Sequence, residues 1–217
     1  MDMLLVSFVV LFASARGGYS AKDPLPANKI FILLNTKMKS YSNDYPLEDC
    51  AWSMPVSTLG RPNVNVTMSD GHILNLIRPG LKPRGWCSAP GWLGNELTVG
   101  CYSFFENVIV AFDIRLVQGL IHDHTVQIYA KAPEIDVLIE LASELGGRPR
   151  LRTWLVRPFN MTTWARPPLS VGSPEVDLIN ASSYKCMYDQ LWKVLLGKYK
   201  EDLSTAVGSQ DSYIPPP

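Results

Sequence analysis

The chain has 217 residues, of which 47% are hydrophobic and 18% are charged, and its 20 basic side chains balance its 20 acidic ones. Balanced charge argues against a nucleic-acid groove, because binding to phosphates requires a basic surface. The length predicts one domain of moderate size, which can bury a core without depending on disulfides alone.

The first twenty residues, MDMLLVSFVVLFASARGGYS, predict a secretory signal peptide over residues 1–20. An apolar or small run covers residues 3–15, and small residues suitable for cleavage follow it. This run is shorter than the roughly 20 apolar residues that a membrane span needs. We therefore expect a secreted, extracellular protein without a membrane span.

Strand signals dominate the middle of the chain, where apolar residues recur at every second position. Between VNVTM and HILNLI, the Asp70-Gly71 pair predicts a hairpin turn that places Met68 opposite Ile73. Other predicted strands cover residues 29–34, 96–101, 108–117, 125–130, 135–141 and 151–156. Without any repeated strand-helix alternation, this pattern predicts an all-β fold, an antiparallel sandwich or barrel of about 7–8 strands.

One helix is predicted near the carboxyl end of the chain. Ser182 or Ser183 could cap its start, and it would run to about residue 200. Its apolar stripe consists of Met187, Leu191, Val194 and Leu195, and it is typical of a core-facing helix. We therefore expect a single secreted β-rich domain over residues 21–200, followed by a flexible tail over residues 201–217.

Four cysteines remain after the signal peptide, namely Cys50, Cys87, Cys101 and Cys186. An even number in an oxidising compartment predicts two disulfides, which can be connected in three ways. A Cys87–Cys101 bridge would close a loop of about 15 residues and stabilise the fold by about 3 kcal/mol in the chain-entropy model. That choice would leave Cys50 for Cys186, but the spacing alone does not select among the three connectivities.

No motif for catalysis or for a cofactor stands out. The thirteen residues between Cys87 and Cys101 do not match zinc-ligand spacing, and there is no GxSxG nucleophile elbow. The stretch His122-Asp123-His124 offers metal ligands, yet no local third or fourth ligand accompanies it, so a polar turn is the preferred interpretation. The sequence therefore predicts a protein that is not an enzyme and that uses neither metal nor cofactor.

Three Asn-X-Ser/Thr sequons, at Asn65, Asn160 and Asn180, make N-glycosylation available in the secretory route. Trp86 and Trp92 flank a Pro-Gly turn inside the loop that a Cys87–Cys101 bridge would close. Rigid aromatic side chains on a constrained loop make good interface anchors. These two tryptophans are accordingly our candidate contact with a partner.

The assembled pattern resembles the secreted salivary immunosuppressant glycoproteins of hard ticks. The features that carry this resemblance are the short signal peptide, the segment KIFILLNTKMKSYSNDYPLEDC, the four spaced cysteines, the strand NVIVAFDIRLVQG and the sequons. The resemblance implies a protein delivered in saliva that suppresses host immune responses, including T-lymphocyte proliferation. It supplies no mechanistic residues.

The main functional hypothesis is therefore a secreted immunomodulatory protein that binds a host immune protein or a cell-surface glycan. The first alternative is a lipocalin-like carrier that sequesters a small amine or lipid, because a β-rich fold with a late helix and two disulfides fits the same pattern. A secreted hydrolase is the second alternative, since an active site can be assembled from residues that are distant in sequence.

Overall fold

The computed structural model describes residues 25–40, 45–55, 63–118, 122–169, 173–209 and 214. Its elements in chain order are α1 (Leu25–Met38), β1 (Cys50–Met54), β2 (Val64–Leu74), β3 (Lys82–Pro83), β4 (Gly91–Leu93), β5 (Glu96–Gln118), β6 (His122–Ser143), β7 (Arg150–Val156), β8 (Thr162–Arg166), α2 (Ser173–Leu196) and α3 (Lys198–Gly208). The predicted signal peptide lies outside the described residues. Within the described ranges, no helix is long and apolar enough to cross a membrane.

The eight strands of the described chain form one antiparallel sheet with the order β1-β2-β5-β6-β7. The short strands β3 and β4 pair with β5, while β8 pairs with the part of β6 that β7 leaves uncovered. The predicted antiparallel β architecture with a carboxyl-terminal helix is confirmed. The sequence left a barrel and a sandwich open. The sheet is not closed into a barrel, and helices rather than a second sheet pack against its buried face.

β5 and β6 form a hairpin whose strands are 23 and 22 residues long. The large buried side chains on β5 are odd-numbered up to Phe105 and even-numbered from Val108, so the alternation changes phase at Asn107. Asn107 has a φ of 55°, and its carbonyl accepts a hydrogen bond from Asn75 Nδ2 at 2.9 Å. On β6 the phase changes directly opposite, at Pro133. A regular period of two therefore ends there in both strands, which is why the sequence predicted four short strands.

The Asp70-Gly71 pair forms a bulge inside β2, so the predicted hairpin turn was wrong. The register of β2 on β5 shifts between Ser69 and His72, and Asp70 has a left-handed φ of 53°. Met68 lies opposite Ile114 of β5 rather than opposite Ile73. A Cβ on Gly71 would overlap the ring of Phe112 and would lie 2.7 Å from Leu47 Cβ. Glycine is therefore needed at this position for close packing. An Asp-Gly pair is compatible with a bulge as well as with a hairpin turn.

The first predicted strand, residues 29–34, belongs to α1, so this prediction was also wrong. Phe31, Leu34 and Met38 are buried, whereas Ile32 is exposed. Burial at spacings of three and four is the pattern of one helix face. A short apolar run does not distinguish a buried helix from a buried strand by periodicity alone, and length decides only when the boundaries are known.

The carboxyl-terminal helix starts earlier than predicted, at Ser173, and the predicted stripe from Met187 to Leu195 is buried as expected. Ser183 lies inside the helix and is fully buried, so it is not a cap. A second helix, α3, follows immediately, and its Leu203 and Val207 are buried. The prediction of a flexible tail from residue 201 was therefore wrong as far as Gly208.

Tyr199 of α3 joins the helices to the sheet. Its ring lies 5.2 Å from Phe105 of β5 and 5.6 Å from Trp154 of β7, measured between ring centroids. Trp154 Nε1 donates a hydrogen bond to the carbonyl of Leu195 at 2.9 Å, so its polar atom is satisfied within the core. The buried apolar side chains of helices and strands form one continuous core.

Candidate binding surfaces

The four cysteines form two disulfides, Cys87–Cys101 and Cys50–Cys186. The first spans 14 positions and joins the loop between β3 and β4 to β5. The second spans 136 positions and joins the edge strand β1 to the middle of α2. Disulfides of this kind are typical of proteins in an oxidising compartment, which fits the predicted extracellular location.

Polar contacts reinforce the attachment of the segment before β1 to the helices. The backbone amide of Glu48 donates to Gln190 Oε1 at 3.2 Å, and the Glu48 carboxylate forms an ion pair with Lys193. The hydrogen bond and charge of Lys193 lower the pKa of Glu48. Nearer the core, the Tyr45 hydroxyl donates to Asp202 Oδ2 at 3.3 Å. Burial and the charge of Asp202 raise the pKa of Tyr45.

The interior between the helices and the sheet contains polar atoms that the apolar core does not satisfy. The hydroxyls of Ser103, Ser143 and Ser183 and the indole nitrogen of Trp52 are buried and have no hydrogen-bond partner among the described residues. Ser183 lies on the buried stripe of α2, and Ser103 lies on the buried face of β5 between Cys101 and Phe105. We call these four side chains the interior polar set.

An unsatisfied buried hydroxyl costs about 1–3 kcal/mol, so several of them in one core require an explanation. Chemically they can donate to, or accept from, a polar group of a molecule held between α2 and the sheet. From the sequence, Ser183 was interpreted only as a possible helix cap, and Ser103 and Ser143 were not predicted as site residues. The burial of a serine in a strand or helix cannot be recognised from the sequence until the burial pattern of that element is known.

The candidate contact loop, residues 86–95, is held tightly against β5 together with the two residues before it. The amide of Arg84 donates to the carbonyl of Tyr102 at 2.7 Å, and the amide of Ser88 donates to the carbonyl of Gly100 at 2.7 Å. Together with the Cys87–Cys101 disulfide, these bonds make residues 84–95 a tethered loop. Trp86 is 71% exposed and Trp92 is 51% exposed. Their role as a partner contact stays a prediction.

Trp92 is paired directly with Leu97, so the two side chains share one face of the sheet. Leu97 belongs to the buried face. By contrast, Arg84 crosses the opposite face, where its guanidinium lies 5.0 Å from the ring centroid of Phe104 and 3.1 Å from Asp136.

An apolar row on that opposite face was not predicted. Tyr102 of β5 pairs with Leu138 of β6, which pairs with Leu155 of β7. Tyr102 and Leu155 are about half exposed, and Arg157 lies over the Tyr102 ring. These positions alternate with the buried ones along each strand and therefore lie on the solvent-facing side of the sheet. Polar residues are expected on that side. Apolar residues in register across neighbouring strands become visible only when the pairing is known.

The three sequons lie on different elements. Asn65 of β2 and Asn160, which follows β7, are exposed, while Asn180 of α2 is half-buried. Their occupancy stays a prediction.

The stretch His122-Asp123-His124 begins β6 and pairs with residues 116–118, so its backbone is a strand rather than the predicted polar turn. Its side chains lie outside the described part. Among the described residues, no three ligating side chains are grouped for a metal ion.

Neither a family model nor a curated protein matches the sequence. The crystal structure of lipopolysaccharide binding protein is similar with a TM-score of 0.50 and 14% identity, over 85% of this chain and 37% of that one. The chain thus spans little more than a third of that protein, and the likeness shows a shared fold. Takeout 1 of Epiphyas postvittana matches over 83% of this chain and 91% of its own, with 9% identity and a TM-score of 0.34, too low to support a common fold. The resemblance to the tick family receives no support from these comparisons.

Proposed function

We propose that this protein is a secreted carrier that holds a small amphipathic molecule, of lipid character, between α2 and the buried face of the sheet. This was the first alternative from the sequence. The observation that carries it is the interior polar set: buried hydroxyls on α2 and on β5 without partners among the described residues. A ligand with an apolar body and one polar end would supply a hydrogen-bond partner to a hydroxyl of this set and would find apolar surroundings for the rest of its length.

The shared fold with lipopolysaccharide binding protein supports this choice in one respect. An open antiparallel sheet with helices packed on one face leaves an interior between two different kinds of element. Such an interior can admit a ligand by a small displacement of the helix, whereas separating two hydrogen-bonded strands would break backbone pairs. α2 is tied to the sheet covalently only at Cys186.

The experiment is ligand binding by the secreted protein after solvent extraction of any resident molecule. Oleic acid and histamine serve as the two probes, and native mass spectrometry and tryptophan fluorescence are the readouts. We expect saturable one-to-one binding of oleic acid. Replacement of Ser183 by alanine should lower its affinity two- to tenfold, because one hydrogen bond contributes about 0.5–1.5 kcal/mol.

The matched control is Ser53→Ala, since Ser53 is exposed on β1. It should leave the affinity unchanged. Failure of both probes, combined with an extract that contains no small molecule, would overturn the carrier proposal. Binding of histamine alone would retain a carrier and replace the lipid by an amine.

A second candidate function rests on the exposure of Trp86 and Trp92. We propose that the tethered loop binds a host immune protein or a cell-surface glycan, and the resemblance to the salivary immunosuppressants implies suppression of host immune responses as the result. Exposed tryptophans on a loop held by a disulfide lose little entropy on binding. Under this hypothesis, the secreted protein inhibits T-lymphocyte proliferation, and the W86A/W92A double variant does not.

Native circular dichroism of the double variant is the control for folding. The two candidates separate cleanly, because Ser183→Ala should weaken the binding of oleic acid and leave the inhibition of T-lymphocyte proliferation unchanged. Equal inhibition of proliferation by the double variant and the unmodified protein would exclude the tethered loop as the contact.

A further inference from the structure

A column of aromatic rings runs along α2. Tyr184, Tyr188 and Trp192 occur at intervals of four residues, and their consecutive ring centroids are 6.0 Å apart. The ring planes are nearly parallel, with angles of 15° and 9° between neighbours. All three side chains are half-buried. We call these residues the aromatic column.

Phe159, which follows β7, packs against the side of the column. Its centroid lies 4.9 Å from that of Tyr188 and 5.7 Å from that of Trp192. The rings of Tyr188 and Trp192 are therefore held by a neighbour from the segment between β7 and β8 as well as by each other. Tyr184 has no such contact with Phe159, and its stacking neighbour within the column lies on one side only.

The other side of the Tyr184 ring is directed toward the preceding turn of α2. Side chains on a helix lean toward its amino terminus, and residues four apart share one face. The residue four positions before Tyr184 is Asn180. Asn180 is half-buried and is the first residue of the sequon Asn180-Ala181-Ser182. A group attached to Asn180 would thus extend the column by one further turn.

We propose that Asn180 carries an N-linked glycan whose first N-acetylglucosamine lies against the ring of Tyr184. In the linking step, Asn180 Nδ2 attacks C1 of a lipid-pyrophosphate-linked oligosaccharide in the secretory route. The bond from C1 to the pyrophosphate oxygen breaks, Nδ2 loses one proton, and the lipid pyrophosphate leaves with the electron pair. The modification site and the packing contact both lie outside the proposed carrier interior.

The contact has a plain physical basis. One face of a pyranose ring presents C–H groups, which carry partial positive charge, and the face of an aromatic ring is negative. The contact also removes apolar area of both rings from water. Because the sugar is covalently attached one helical turn away, its effective concentration at the ring is high and little entropy is lost.

Asn65 provides the internal comparison. It is exposed on β2, and its cross-strand neighbours are Ser53 and Val117, which offer no aromatic ring. A glycan there would extend into solvent. Sugar at Asn65 should therefore leave the thermal stability unchanged, whereas sugar at Asn180 should raise it.

The test is a double-mutant cycle on the full chain secreted from eukaryotic cells. Occupancy of each sequon is measured by glycopeptide mass spectrometry. Ser182→Ala removes the Asn180 glycan and retains the asparagine, Tyr184→Leu removes the aromatic face, and Thr67→Ala removes the Asn65 glycan as the control. The cycle cancels any change in helix propensity that the serine substitution causes, because that change is common to both backgrounds.

We expect loss of the Asn180 glycan to lower Tm by about 2–4 °C when Tyr184 is present, and to have no such effect in the Tyr184→Leu background. Trimming to a single N-acetylglucosamine should preserve the full Tm. Thr67→Ala should leave Tm unchanged in both backgrounds.

An unoccupied Asn180, or an equal Tm change in both backgrounds, would overturn the proposal. If Tyr184→Leu does not fold, NMR of the unsubstituted protein decides. The protons of the first sugar at Asn180 must then show an upfield ring-current shift that the sugar at Asn65 lacks, and equal shifts would overturn the contact.

Discussion

The helix-covered interior and the tethered loop both depend on a disulfide, yet they are opposite in every other respect. In the interior, Cys50–Cys186 joins elements that also share a continuous apolar core with Tyr199, Phe105 and Trp154. In the tethered loop, Cys87–Cys101 and a few backbone hydrogen bonds hold a segment whose tryptophans face solvent. The conformation of the interior is stabilised mainly by burial of apolar side chains. The conformation of the tethered loop is stabilised by its disulfide and by pairing to β5.

This difference separates the two proposed binding modes. Under the carrier proposal, a small molecule in the interior would lie against mostly apolar side chains, so it would be apolar over most of its length. Under the second proposal, the tethered loop would bind a large partner without a change of fold, because Trp86 and Trp92 are already exposed. Substitutions in the interior should therefore change stability first, and substitutions in the loop should change binding first.

The largest expected effect comes from the long-range disulfide. Replacing both Cys50 and Cys186 by serine should lower the free energy of unfolding by about 5 kcal/mol in the chain-entropy model, because the bridge closes a loop of well over a hundred residues. Replacing both Cys87 and Cys101 should cost about 3 kcal/mol in the same model. Urea denaturation of the two double variants measures the difference directly. A larger loss for Cys87/Cys101 would reverse the comparison.

Tryptophan replacements sharpen the same contrast. Trp154→Ala removes a buried ring and the hydrogen bond to Leu195, and it should lower the free energy of unfolding by about 3–5 kcal/mol. Trp86→Ala, on the tethered loop, should change it by less than about 0.5 kcal/mol, since its ring is mostly in water. Chemical denaturation monitored by far-UV circular dichroism tests both. A destabilised Trp86→Ala would mean that the exposed ring supports the loop.

The fold could be predicted in part from the sequence. Alternating apolar residues indicated the antiparallel sheet, and the stripe around Met187 and Leu191 indicated the helix. α1 was missed because its apolar run carries no decisive period. The hairpin at Asp70-Gly71 was wrong because a bulge and a turn demand the same backbone conformation, and only the partner strand distinguishes them.

The candidate sites were predictable to a similar extent. Trp86 and Trp92 were identified because they flank the Pro90-Gly91 turn in the loop that Cys87–Cys101 closes, and both side chains are exposed. Ser183 was interpreted as a helix cap, and its burial became visible only with the true start of α2. The residues of the aromatic column occur four apart in the sequence. This spacing alone does not show which face of the helix packs against the rest of the protein.

A glycine pair tests how tightly each region is packed. Gly71→Ala places a methyl group against Phe112 and Leu47 in the core, and such overpacking should cost about 1–3 kcal/mol. Gly91→Ala is the matched variant on β4, where an added Cβ meets no atom within 4 Å. Thermal unfolding should show a lower Tm for the first variant only. Equal losses would indicate that the tethered loop is as closely packed as the interior.

The smallest expected effect is a loss of stability in alkali that originates in the interior. Burial raises the pKa of Tyr199, with a further contribution from Tyr45, and burial together with Asp202 raises the pKa of Tyr45 itself. The folded protein therefore keeps both phenol protons at a pH where the unfolded chain has lost them. Their contribution to stability is complete below the ordinary tyrosine pKa of 10.0 and is lost progressively as the pH rises above it.

Thermal unfolding between pH 8 and about 11 should show a fall in Tm that is smaller in Tyr45→Phe than in the unmodified protein. Tyr102→Phe, beside the tethered loop, is the control, and an equal reduction of the fall in this variant would place the alkaline sensitivity outside the interior.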